Sequence, residues 1–272
     1  MRAATFTQRS IQALAALLLL APLLAAFCGG TGAGDLASRF STLATACIHS
    51  LSVALLSAAT ALLIGVPAAW ALSARHGGTW RAALLVLPLA LPAPVAISGW
   101  VQLLAPDAAS SFALPIAGFT STFRTLLFSP IGAALVLGFA LWPIVALHAW
   151  PAFVRTRNEA FAAACLSASP ARVFFRVVLP DCRRHIAAGA ALVFVLSASD
   201  FPAASLLLVK TLAVEAHDQV ALGRNAAAAW ISFPLLVCAA LLAFLIARTG
   251  TRDASNGHSR AEIHRESKCG WF

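Results

Sequence analysis

The chain has 272 residues, 60% of them hydrophobic and only 11% charged. That leaves too little polar surface to cover a soluble fold of this size, and the apolar excess calls for a lipid solvent. A net charge of +9 raises nucleic acid as a partner, but the basic residues are spread in a way that reports topology and leaves no basic domain over.

A bilayer core needs about 20 apolar residues in helical form. Windows of that kind fall at Ile11–Phe27, Cys47–Leu72, Ala82–Leu104, Pro130–Ala149, Ile186–Leu208 and Ala226–Ala247, and the only charged side chain within them is Asp200. The spacing predicts an all-α fold, a polytopic membrane bundle of about six transmembrane helices over residues 1–248. The first window also has the outline of a signal peptide, with Arg2 and Arg9 before an apolar run ending at Cys28. Phe27 is too bulky for a cleavage site, and loss of this span would leave the charge pattern mismatched. In the third window Pro88, Pro92 and Pro94 are expected to bend the helix.

Lysine and arginine are retained on the cytoplasmic side of a membrane. Arg2, Arg9, Arg75, Arg81, Arg155, Arg157, Arg172, Arg176, Arg183, Arg184, Arg248, Arg252, Arg260, Arg265 and Lys268 fall on one side of the predicted topology. Only Arg39, Arg124, Lys210 and Arg224 fall on the other. Both termini are therefore expected in the cytoplasm, and no nucleic-acid partner is expected. The tail at 249–272 is polar, mixed in sign and reads as disordered.

The longest cytoplasmic loop, about 151–185, is patterned. Asn158–Leu166 is rich in helix formers, Ser167–Pro170 interrupts it, and Ala171–Leu179 resumes a helical pattern. Ser169 suits a helix cap and Pro170 a first helical position. Pro180 is expected to stop that helix before the fifth span. The prediction is a helix-turn-helix that another protein can grip.

Phe161–Pro180 resembles the cytoplasmic EAA loop of permease subunits in binding-protein-dependent ABC importers, the MetI-like family. In register from Leu179 and Pro180, Ala162 and Ala163 match the alanines, Val177 takes the isoleucine position and Ser167 falls where the family has glycine. Phe161 stands at the glutamate position, with Glu159 two residues earlier. Ser50–Arg75, Leu87–Gln102 and Ser197–Leu206 are similar to the family's second, third and fifth spans. The run His217–Leu236 is similar to permeases of the ferric iron, thiamine and phosphonate-like group.

The resemblance implies a permease subunit in a bacterial inner membrane. It would form the solute pathway and couple to an ATPase through Glu159, Ala162, Ala163, Ser167, Ser169, Pro170, Leu179 and Pro180. Implied partners are a cytoplasmic ATP-binding subunit dimer, a second copy of the chain or a sister permease, and a periplasmic or extracellular solute-binding protein. The chain holds no G-x-x-x-x-G-K-[ST] phosphate loop, so ATP hydrolysis is expected on another polypeptide. No catalytic residue, metal site or cofactor is expected. The six cysteines are scattered without a CxxC or Cys/His cluster.

A carboxylate within the hydrocarbon region costs about 2.5–3.5 kcal/mol and usually faces a cavity or a partner. Asp200 is thus the first candidate for the translocation pathway, with Ser197 on its helical face and Gln102 as the next polar group. Two readings stay open for Asp200. It lines the pathway, or it bonds to a neighbouring helix or to unwound backbone before Pro202. An ion-coupled secondary transporter using Asp200 is the alternative function.

Overall fold

The structure, a computed structural model, describes residues 40–73, 87, 89–91, 93–103, 125–165 and 169–244. The first predicted span, the tail, Ser167, Pro88 and Pro92 lie outside the described residues. Everything described is helix, turn or short connection, with no strand among the described residues. The principal helices are α1 (Phe40–Ser73), α2 (Ala93–Leu103), α3 (Pro130–Cys165), α4 (Pro170–Val173), α5 (Leu179–Ser199), α6 (Phe201–Leu206), α7 (Leu212–Ala221) and α8 (Asn225–Phe244).

Three stretches are long and apolar enough to cross a membrane: Thr42–Ser73, Pro130–Thr156 and Asn225–Phe244. They coincide with the second, fourth and sixth predicted windows, and they are compatible with a membrane protein. Half of the α3 window is buried, against 33% for α1 and 22% for α8. Of these three, α3 is therefore the most enclosed and α8 the least.

α1 and α3 run parallel. The Ser57 hydroxyl, midway along α1, donates to the Ala134 carbonyl near the start of α3 at 3.1 Å, and Ala69 near the end of α1 packs with Ala146 and Ala149 midway along α3. Close approach is possible because α1 carries a small residue every fourth position at Ser57, Ala61, Gly65 and Ala69, which lets the backbones touch. A Cβ on Gly65 would stand 2.7 Å from the Trp142 carbonyl oxygen, and one on Gly138 would stand 2.6 Å from Thr60 Cβ. Only glycine fits at these two positions.

α5 runs antiparallel to both. Its first turns meet the end of α3, where Thr156 Oγ1 lies 3.6 Å from Cys182 Sγ, and Val193 further along packs with Val145, Ala58 and Ala61. α8 returns in the direction of α1, with Ile231 beside Ala46, and Leu241 and Leu242 opening on the same groove as Leu179 and Arg183. The bundle thus has two distinct ends. One holds the α3–α4 elbow, the other the starts of α1, α3 and α8.

Two expectations are corrected. The fifth window does not form one helix: α5 ends at Ser199, the backbone extends at Asp200 (ψ 106°), and α6 begins at Phe201. Pro180 does not stop a helix either. The path from Pro170 runs into α5 through a π-helical turn, Phe174–Val178, in which the Leu179 N–H donates to the Phe174 carbonyl five residues back. A proline removes one donor and collides with the carbonyl four residues back. A wider turn just before it shifts that register and lets the helix pass. In the third window a bend at Leu91 precedes α2, the deflection expected from its prolines.

Candidate functional site

At the elbow end, α3 carries straight on from its apolar half to Cys165, so the predicted first loop helix is an extension of the fourth span. Helix resumes at Pro170, and the Ser169 hydroxyl accepts from the Arg172 N–H at 3.4 Å, the cap its position called for. Val173, Val178 and Cys182 are buried against Ala152 and Phe153. Burial pushes the Cys182 thiol above its usual range, and a bond with Thr156 opposes this. It sits there as an apolar packing group.

Phe174 anchors the elbow. Its ring lies 5.3 Å from Trp70 and 6.3 Å from Phe153, and Trp70 meets Phe153 edge-on at 5.6 Å. Such pairs prefer tilted and edge-to-face contacts and add about 0.5–1.5 kcal/mol each beyond their burial. Across α3 and α5, the Arg155 guanidinium donates to His185 Nε2 at 2.7 Å. The opposite face of the same short helix is open: Arg172 and Arg176 are exposed, and Phe175 is 64% exposed. A ring pinned inward beside a ring held outward makes a rigid apolar knob with a basic rim.

At the other end, the Asp200 carboxylate accepts from the Ala203 N–H at 2.7 Å and so caps α6. Pro202 suits this first turn, where a backbone donor is not needed. The backbone partner is the Ala203 amide, beyond Pro202 and within α6, so the bond is a helix cap and does not decide between the two readings for Asp200. Ser197, one turn earlier, is buried, and its hydroxyl has no partner among the described residues. Leaving a buried hydroxyl unpaired costs about 1–3 kcal/mol. Phe201 stacks on His217 of α7 at 4.0 Å.

α6 ends in a tight reversal. The Val209 N–H donates to Ala204 O at 2.9 Å and the Leu208 N–H to Ser205 O at 3.2 Å, with Leu208 left-handed at φ 56°. This is the Schellman pattern, normally built on glycine. A leucine in it costs about 1–2 kcal/mol. The strained turn is tied down on both sides. His49 Nδ1 donates to Lys210 O at 3.1 Å, Ser50 Oγ accepts from the Leu212 N–H at 2.8 Å, and the Thr211 hydroxyl caps α7 by accepting from the Val214 N–H.

The structure separates the predicted residues into two groups at opposite ends. Glu159, Ala162 and Ala163 lie on the last turns of α3; Ser169, Pro170, Leu179 and Pro180 follow along the elbow. Asp200 and Ser197 sit at the helix break. Gln102 is exposed on α2; that helix reaches the break through Ile97 and Val101, which pack with Ala203 and Leu207. Sequence reasoning gave His49, Ser50, Leu208 and Thr211 no part in a site. The available signal was Lys210, one of only two lysines in the chain and on the side that is poor in basic residues. No family model matches the chain.

Proposed function

We propose that the chain is the transmembrane permease subunit of an ATP-driven importer, coupled through residues 158–180 to a separate ATPase subunit. The observation that carries this reading is the elbow. A short helix between two bundle helices is clamped by Phe174 to Trp70 and Phe153, and it turns Arg172, Phe175 and Arg176 outward. A push on Phe175 is passed through one rigid cluster to α1, α3 and α5 together. That is the mechanical property a motor-driven permease requires.

The bundle geometry supports the same reading. α1 and α3 run parallel, as the second and fourth spans of the predicted topology would. α5 opposes them and α8 follows them, in agreement with the alternation of basic loops. On this reading the elbow faces the cytoplasm of a bacterial inner membrane. The break at Asp200 lies toward the outer face, where a binding protein delivers solute and the second permease completes the pathway.

The test is uptake into membrane vesicles, with copurification from the same membranes. The expected result is solute accumulation that requires ATP, together with an ATP-hydrolysing partner that is lost on Phe175→Glu substitution. Uptake that follows a proton or sodium gradient without ATP would overturn this reading and favour the ion-coupled transporter. Labelling of a Ser169→Cys variant only from the outer face would overturn the orientation.

A further inference from the structure

A cavity of about 520 Å³ opens at the end of the bundle away from the elbow, lined by Thr42, Thr45, His49, Phe128, Pro130, Leu208, Val209 and Lys210. Its chemistry is one-sided. The wall is built in part from a lysine, a histidine and two threonines, and it holds no aspartate or glutamate among the described residues. Pro130 begins the 36-residue helix α3, so the positive end of that helix's dipole also bears on the space. Among the described residues the Lys210 ammonium has no acidic partner.

The loop bearing Lys210 is held in place. The His49 ring grips the Lys210 carbonyl and the Ser50 hydroxyl grips the Leu212 amide, while Leu208 is kept left-handed although its side chain is 79% exposed. That strain gains no burial for Leu208 itself. Backbone held in a costly conformation by surrounding contacts concentrates at ligand sites. Its visible consequence here is to bring Lys210 to the wall shared with Thr42, Thr45 and His49. A lysine suits a phosphate-type ligand, as a compact charge with three donors.

We propose that this cavity is an oxyanion site that takes a phosphate-type group between Lys210, His49 and the hydroxyls of Thr42 and Thr45. With its Nδ1–H donated to the Lys210 carbonyl, His49 meets the ligand through Nε2, which accepts from a protonated phosphate oxygen when the ring is neutral and donates only as imidazolium. The proposal goes beyond the importer reading and does not rest on it. The shared chemistry has two sources, a soluble phosphate-bearing molecule or the phosphate of a lipid headgroup.

The experiment uses the full chain in nanodiscs of phosphatidylcholine alone and of phosphatidylcholine with phosphatidylglycerol. Inorganic phosphate is titrated by calorimetry, and retained phosphatidylglycerol is quantified after detergent exchange. Lys210→Gln and Thr42→Val are compared with wild type and with Arg176→Gln at the opposite end. Phosphate binding in phosphatidylcholine discs, weakened at least tenfold by Lys210→Gln and measurably by Thr42→Val, supports the site with a soluble source. Enrichment of phosphatidylglycerol that both variants abolish supports the site with the lipid as source. Equal phosphate binding and equal lipid retention in wild type and Thr42→Val overturns the proposal, even where Lys210→Gln fails to fold. So does an equal loss in Arg176→Gln, which would mark a bulk charge effect.

Discussion

Two prolines, Pro180 and Pro202, lie on the helical path that follows Pro170, and they have opposite effects. Both occupy a first-turn position, Pro180 in α5 and Pro202 in α6. At Pro180 the residues before it stay helical, Val178 at ψ −50° and Leu179 at ψ −43°. At Pro202 the chain is extended at Asp200, ψ 106°. The difference lies in what surrounds each. Val178 and Cys182 are buried against the end of α3, so apolar packing holds the helix and the π turn absorbs the missing bond. At Pro202 a carboxylate caps the new helix, and breaking there is locally satisfied. One end of the bundle is kept continuous by packing, the other is built of caps.

The largest effect is expected where both ends depend on the same contact. Gly65→Leu would drive a side chain into the Trp142 backbone and separate α1 from α3. We expect loss of the monodisperse, extractable protein, read by size-exclusion chromatography. A normal elution profile would show that the parallel pair is not the frame of the bundle. Next is Phe174→Ala, which removes the ring joining Trp70 to Phe153. Phenylalanine deletions in cores cost about 3–5 kcal/mol, and this half-buried ring should fall at or below the low end. Hydrogen exchange is expected to quicken across residues 174–182 and to stay unchanged across 200–212. Equal loss at both regions would erase the distinction between a packed end and a capped one.

Asp200→Ala tests the other end. Loss of a helix cap costs about 0.5–2 kcal/mol, and asparagine caps as well as aspartate. Exchange at the Ala203 amide should therefore rise in Asp200→Ala and be largely restored in Asp200→Asn. Failure of asparagine to restore it would mean that the charge is required, and would favour Asp200 as a pathway or coupling group over a cap.

What was legible in the sequence follows the same division. The α1, α3 and α8 windows stood out because an uninterrupted apolar run needs no partner to be recognised. The Ser169 cap was also readable, since it concerns residues within one turn. The passage through Pro180 was not, because it depends on Phe153 and Ala152 burying Val178 from another helix. Nor was the tie between Ser50 and Leu212, which joins residues 162 positions apart. Leu208 gave no warning at all. A leucine in a left-handed turn looks like any other apolar residue at the end of a span.

That residue allows the finest test, because the molecule contains its own control. α7 ends in the same hydrogen-bond pattern as α6: the Arg224 N–H donates to Gln219 O and the Gly223 N–H to Val220 O, both at 2.9 Å, with Gly223 at φ +72°. One reversal uses the residue that tolerates this backbone, the other a leucine that does not. Leu208→Gly should raise stability by up to about 1 kcal/mol, since relief of strain outweighs the extra freedom glycine gives the unfolded chain. Gly223→Leu should lower it by about 1–2 kcal/mol. Thermal midpoints moving in opposite directions by a few degrees would confirm that the turn before Lys210 is held against its preference by His49 and Ser50. If Leu208→Gly proved neutral or destabilising, the exposed leucine would have a contact of its own, and the turn would need no latch to keep it.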